Sequence, residues 1–300
     1  MSSVISTASY WKHLRGSVQE IMGDDLGSNE MQYKKYCKVI KATKAFHDFP
    51  EYALDALLQE RGSGTPISAG RLLEGQNTRV LMRTFAAQVI VDSEARDDEE
   101  NDKVLDLSRR LKRACAKTKD IDAAQFLNRF NNTDYVFADG KPLASSTHAR
   151  PDGGTFSNTL ATPSAPSVSA LQTIRSNLMK LEGFDGIREG YMIKKLLCPV
   201  DQVNAWDVVL GSSQMPGTAN NDINNVKSMG IELVPVLHWS GTTTSWGVVT
   251  DAEGGMTYAE RQKDTYRDWV DENTDTFHFS IKYRSGRTNT NNRAHFWSEA

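Results

Sequence analysis

The chain has 300 residues, 39% apolar and 24% charged, with 35 Lys and Arg against 38 Asp and Glu for a net charge of −3. That length suits one large domain or two ordinary ones whose core needs no staples, and a nearly balanced charge excludes a polycation built to coat nucleic acid. No window approaches 18 apolar residues, so no membrane-spanning helix is expected, and the three scattered cysteines, Cys37, Cys115 and Cys198, fit a reducing compartment.

Residues 1–27 read as a flexible or extended arm with Trp11, Leu14, Val18, Ile21 and Met22 as its anchors, and the opening stretch has no secretory pattern. From Ser28 to about Phe46 a helix or an extended segment is expected, with Tyr33, Tyr36, Cys37 and Ile40 on one side and a lysine-rich solvated face on the other. Asp48-Phe-Pro-Glu51 predicts a helix start, because Asp48 can cap, Pro50 suits a first turn and Glu51 follows three residues after the cap. Residues 60–76 are Gly/Ser/Pro-rich and predict a loop. Thr78 to Val91 predicts a strand with Leu81, Phe85, Ala87, Val89 and Val91 on one face. Together they suggest a β-excursion projecting from the body, and an isolated two-stranded ribbon is marginal unless something outside covers it.

Asp97 to Phe130 predicts one long helix, roughly 50 Å at a rise of ~1.5 Å per residue. It opens with Asp97, Asp98, Glu99, Glu100 and Asp102, which offset the positive end of the helix dipole. Val104, Leu107, Leu111, Ala114, Cys115, Thr118 and Ile121 form its stripe, and Arg109, Arg110, Lys112, Arg113, Lys117 and Lys119 fall on the opposite arc. Asn131-Asn132 ends it. Tyr135–Phe137 then reads as a short strand, and residues 143–166 as a loop and linker. Ser169-Ala-Leu-Gln172 matches a capping box for a helix with Leu171, Ile174, Leu178 and Leu181 inward and Gly183 at its C-terminal turn. A buried strand over residues 190–200, a helix from Asp201 to Gly211, a polar loop over 211–222, and strands over 231–237 and 246–250 follow, a compact α/β subdomain. Asp275 to Arg284 alternates, with Phe277, Phe279, Ile281 and Tyr283 on one face. Residues 285–295 read as a loop, and Phe296-Trp297 as a final apolar anchor.

The histidines, His13, His47, His148, His238, His278 and His295, form no zinc-like spacing, and no phosphate-cradling glycine motif is present. No cofactor or metal site is expected. The acidic run from Asp92 to Asp102 lacks the spacing of a calcium loop. Two alternative functions can be framed. One is a hydrolase using Ser146, His148 and Asp152, although catalytic partners normally converge from separate elements. The other is a nucleic-acid-binding module using the basic face of the long helix.

The loop Gly62-Ser-Gly-Thr-Pro-Ile-Ser68 before a strand, and Asp139-Gly-Lys-Pro-Leu143 followed by Ser145-Ser-Thr-His148 and Asp152-Gly-Gly-Thr-Phe-Ser-Asn158, carry a resemblance. In these motifs and in element order the chain resembles the major capsid protein of tailed bacteriophages, closest to the Mu-like major head subunit type, over roughly Ser28 to Trp297. Ala144 departs from the pattern where a bulky apolar residue is expected, and Pro151 lies later than the expected proline after His148. The resemblance implies an α+β fold of the Hong Kong phage capsid type. It implies an N-terminal arm (1–47), an extended loop with flanking elements (48–92), and a peripheral domain (93–142) with a spine helix (97–130). An axial domain (143–250) and a return to the peripheral domain (251–300) follow. It further implies a non-enzymatic subunit, made in the host bacterial cytoplasm, that forms hexamers and pentamers with copies of itself in a virion shell. That shell would enclose DNA without sequence-specific binding or a membrane, with scaffold, portal or decoration proteins as further partners. Inter-subunit contacts are expected at Arg61, Gly62, Gly64, Pro66, Arg71, Arg109 and Arg113.

Overall fold

The computed structural model describes residues 16–22, 31–55, 58, 60, 61, 63, 64, 67, 69–92, 101–216, 222–271, 273, 274 and 276–299. A helical stretch over 16–22 lies along the long helix, with Val18 buried and the Lys112 ammonium donating to the Ile21 carbonyl at 2.6 Å. Residues 31–46 resolve into both expected alternatives in succession: a single helical turn, Tyr33–Tyr36, then strand β1 (Lys38–Lys41). Tyr33, Tyr36 and Cys37 are buried as the pattern requires.

Asp48–Glu51 does not start a helix. It lies inside strand β2 (Phe46–Asp55), which pairs antiparallel with β3 (Arg71–Leu81). Pro50 is tolerated there because a register shift between Pro50 and Tyr52 interrupts the ladder beside it. The single strand expected over 78–91 is two strands that part at Met82. β3 belongs to this hairpin, whereas β4 (Arg83–Asp92) pairs with a C-terminal strand. Leu81, expected on the buried face, is therefore exposed at the corner.

Helix α1 (Asn101–Asn128) is the long rod, and its acidic start at 97–100 lies outside the described residues. Tyr135–Phe137, expected as a strand, is irregular and leads into a turn closed by Gly140 N–H donating to the Phe137 carbonyl. The loop over 143–158 contains two short paired strands, β5 (His148–Ala149) and β6 (Thr155–Phe156). Helix α2 (Val168–Lys180) is capped two residues earlier than expected, by the Ser167 hydroxyl accepting from Ala170 N–H at 3.2 Å. It ends at Leu181 in extended conformation, so Gly183 serves a following turn and not the helix end. β7 (Ile193–Pro199), helix α3 (Val203–Gly211), β8 (Glu232–Val236) and β9 (Gly247–Thr250) complete the middle of the chain.

Strand β10 (Met256–Asp271) was not legible in the sequence. Its first four residues are buried on both faces, and the rest carry polar groups through two register shifts, so neither part alternates cleanly. β11 (Thr276–Asn289) outruns its expected end at 284, and the alternating Phe277, Phe279, Ile281 and Tyr283 are all buried. β12 (His295–Trp297) closes the chain and joins β9.

These strands make two four-stranded sheets, β1-β10-β11-β4 and β12-β9-β7-β8, plus the β2–β3 hairpin. In the second sheet β7 and β8 are parallel, and α3 makes the crossover between them. Its core packs α2 and α3 through Leu171, Ile174, Leu178, Trp206 and Trp246. The first sheet packs Phe277, Phe279 and Tyr283 against Val104, Leu111 and Cys115 of α1. The two bodies share a third core, built from Ala123, Ala124, Phe126, Leu127 and Phe130 with Leu197, Val234, Trp239, Tyr258 and Trp297. The C-terminal third of α1 is thus wrapped between the sheets. Gly247 is needed there, because a Cβ would enter the Trp297 ring.

Candidate assembly surface

The hairpin β2–β3 projects from the body, with its apolar root at the end where Phe46 pairs with Leu81. Alternate side chains of a ribbon face opposite ways, and on this one Phe46, Tyr52, Leu72 and Leu81 are all exposed. Its root is a small apolar cluster of Ala42, Val80 and Ala259 with Ile40, Phe49 and Met82. Gly286 permits that approach, since a Cβ would strike the Leu81 carbonyl. Across the ribbon, Arg79 donates two hydrogen bonds to the Asp48 carboxylate, at 2.7 and 2.9 Å, and lies over the Phe46 ring at 4.5 Å. The Arg79 hydrogen bond holds the Asp48 carboxyl below its ordinary range. A bidentate pair of this kind fixes strand register more than it stabilises an exposed surface.

Of the residues expected to meet neighbours, Arg61, Gly64 and Arg71 lie at the hairpin's outer end and are exposed; Gly64 turns with φ +84°. Gly62 and Pro66 lie outside the described residues. Arg109 and Arg113 lie on another element, exposed on α1. The basic arc itself is less continuous than its spacing suggests. Lys119 is buried, with its ammonium 2.6 Å from Asp264 and over the Tyr283 ring. Lys112 reaches Ile21, and Arg110 pairs with Asp106 at 2.7 Å. Half of the six cations are thereby engaged within the subunit, which weakens a phosphate-binding reading of this face.

The apolar stripe of α1 is divided in the converse way. Val104, Leu111 and Cys115 are buried, but Leu107, Ala114 and Ile121 are exposed, and β4, which packs against α1, is an edge strand among the described residues. A groove of about 280 Å³ runs between them, lined by Phe85, Ala87, Leu111, Ala114, Thr118 and Tyr283. An edge strand next to uncovered apolar surface is a place where another chain can add.

The loop signature at 139–158 folds into a buried polar knot. Asp139 pairs with His148 Nδ1, and the Asn292 amide donates to Asp139 at 3.0 Å. Asn158 donates to the Leu143 and Asn292 carbonyls and accepts from Ser145 N–H at 2.9 Å. The motif residues are therefore braces joining the end of α1 to the C-terminal turn. Ser146, His148 and Asp152 are not brought together as a catalytic set. Ser146 is exposed, His148 is spent on Asp139, and Asp152 closes its own turn by accepting from Gly154 N–H and Arg150. The Gly154 N–H bond lowers the Asp152 carboxyl below its ordinary range. Burial pushes the Cys115 and Cys198 thiols up to about 12, so neither is a thiolate nucleophile near neutral pH.

Sequence reasoning missed two buried charge contacts. Asp122 accepts from Arg83 at 2.8 Å and also binds Arg287, tying α1 to both β4 and β11. Arg293 is 1% exposed and contacts Glu51 of the hairpin. Neither stands out in the sequence, since the partners are 35 residues or more apart. Among the described residues no helix is long and apolar enough to cross a membrane.

Residues 77–296 match the model of the family described as phage capsid protein. A comparison with curated proteins finds no match. Among solved structures, the chain is similar to the capsid of an empty GTA particle, at 12% identity over 99% of this chain and 98% of that chain, with a TM-score of 0.54. It is similar to a chain of Mycobacterium phage Adephagia at 11% identity over 94% and 96%, TM-score 0.56. It is also similar to the procapsid of bacteriophage JBD30 at 15% identity over 98% of this chain and 76% of that one, TM-score 0.53. At such identities the likeness is one of fold.

Proposed function

The chain belongs to the phage capsid protein family, and we propose that it is the repeating subunit of a tailed-phage head, building an icosahedral shell from copies of itself around double-stranded DNA. The observation that carries this reading is the hairpin β2–β3: a ribbon with apolar side chains exposed on a body that leaves them uncovered. A two-stranded ribbon does not stabilise itself in water, so its cover is a neighbouring copy. Head-to-tail contacts of this kind close into rings, and many weak contacts acting together hold a shell.

Within this reading the hairpin is the extended loop and α1 the spine helix. The first sheet belongs to the peripheral domain and the second to the axial domain, with β12 returning to the axial side. Hexamers and pentamers are the expected rings. Arg61, Gly62, Gly64, Pro66 and Arg71 meet a neighbour through the hairpin, and Arg109 and Arg113 meet one through the spine. The Mu-like head subunit type rests on the signature at 139–158, whose Asp139, His148 and Asn158 form the polar knot. Scaffold, portal or decoration proteins complete the assembly, in a virion built in the host cytoplasm.

The test is negative-stain microscopy with light scattering of the expressed protein across salt and concentration. Rings, shells or tubes are expected. A monomer under every condition overturns the reading.

A further inference from the structure

The hairpin touches the body at a second place besides its apolar root. In β2–β3 the register steps from Pro50 opposite Asn77 to Tyr52 opposite Glu74, so β3 carries one extra residue at Gly75-Gln76. Such a bulge re-aims a strand and frees backbone groups from the ladder. Here the freed Gln76 N–H donates to Glu51 Oε2 at 3.3 Å, and a Cβ on Gly75 would overlap that carboxylate. The other Glu51 oxygen lies 3.6 Å from the Arg293 guanidinium.

Arg293 is held rigidly. It lies 4.2 Å from the ring centroids of both Phe156 and Phe184, and it donates to the Glu182 and Gly183 carbonyls at 2.9 and 3.2 Å. A cavity of about 30 Å³, lined by Glu51, Gln76, Asp139, Asn289 and Arg293, sits beside the pair, roomy enough for one water. A ribbon fixed at a single apolar point can pivot, whereas a second, charged point sets its direction.

We propose that Glu51 and Arg293 form a latch that sets the angle at which the hairpin leaves the subunit, and so positions it for the neighbouring copy. This rests on the shell reading above. Glu51 is a positioning residue, acting through the bulge and not through any contact with the neighbour. A carboxylate is required because it must satisfy a backbone N–H with one oxygen and a buried guanidinium with the other. Loss of its charge leaves Arg293 in place, held by its carbonyls and rings, and releases only the hairpin.

The experiment compares wild type with Glu51→Gln, which keeps an acceptor for Gln76 N–H and removes the charge. Amide exchange is read on the unassembled subunit, and the critical concentration for assembly is read by light scattering. For a lost charge-assisted contact, exchange at residues 76–80 is expected to rise about tenfold, and the critical concentration by a similar factor. The thermal midpoint is expected to stay within about 2 °C of wild type, because the three cores are untouched. A second variant, Gly75→Ala, displaces the carboxylate without removing it and is expected to give the same exchange pattern. Unchanged exchange in Glu51→Gln overturns the latch whether or not wild type forms shells. Faster exchange with an unchanged critical concentration overturns its role in assembly. A Glu51→Gln chain that does not fold, beside a Gly75→Ala chain with wild-type exchange, also overturns it. Wild type that forms no shells, with the exchange difference intact, counts against the shell reading alone.

Discussion

His295 shows how a buried side chain ties this fold to pH. It is 1% exposed, and its Nε2 bonds Asn289 Oδ1 at 2.9 Å. Burial, with a smaller push from His148, lowers it to about 3. Above the ordinary histidine value both folded and unfolded chains are neutral there, and the group contributes no pH dependence. Between about 6.5 and 3 the unfolded chain takes a proton that the folded chain refuses, so stability falls by about 1.4 kcal/mol per pH unit as pH drops. Glu51 acts oppositely. Burial raises it, so its folded form holds a proton that the unfolded chain has already lost. The His295 contribution begins to be lost below its ordinary value, so the window from pH 6.5 to 5 reads its onset, and a His295 variant separates it from the raised carboxyls of Glu51 and Asp120. Urea midpoints measured across that window are expected to decline in wild type and to decline less in His295→Gln, which keeps a donor for Asn289. Equal slopes in the two proteins would count against a neutral His295.

At the scale of elements, the long helix was the most legible feature and also the most instructive error. A continuous helix over Asn101–Asn128 follows from the sequence, and so does the burial of its C-terminal third, where Ala123, Ala124, Phe126 and Leu127 spread around the axis; its end at Asn128 comes two residues before the expected Phe130. Its sides do not follow from the sequence. Lys119 lies inside because Asp264, 145 residues later, waits for it on β10, and no local pattern reports such a partner. Leu107 and Ile121 lie outside, on the flank of the stripe that the described residues do not cover. The β-rich half was legible where alternation was clean, as in β11, and illegible where burial on both faces or polar length erased it, as in β10. Asp48–Glu51 carried helix-start chemistry into a strand because tertiary pairing with β3 overrode it. The hairpin was visible as a projecting β-excursion, but its contact through Glu51 depends on Arg293, a residue 242 positions later. The exposed flank gives a prediction: Leu107→Ser with Ile121→Ser is expected to change subunit stability by about 1 kcal/mol or less, as for ordinary surface substitutions. Assembly is expected to weaken severalfold by light scattering. A large loss of thermal midpoint would instead place these residues in the subunit's own core.

At the scale of the molecule, the cores explain why one part can vary without the rest. Three large clusters join the sheets, α1 and the C-terminal turn, and none contains a hairpin residue beyond its root. Among the described residues, the hairpin meets the body at its apolar root, Val80 with Ala42 and Ala259, and at Glu51 against Arg293. Its outer end is therefore expected to be thermodynamically separable. Asp55 and Arg71 are paired in register, so replacing residues 56–70 by Asn-Gly closes the ribbon with a two-residue turn whose twist matches the strands. The shortened subunit is expected to unfold within about 2 °C of wild type by calorimetry, because no buried apolar surface of the body is removed. It is also expected to remain unassembled at concentrations where wild type forms shells, because Arg61 and Gly64 are removed with the outer end and Arg71 is left at a tight turn. Shells of normal size from this variant would show that copies meet through the body alone, and would move the assembly surface to the groove between α1 and β4.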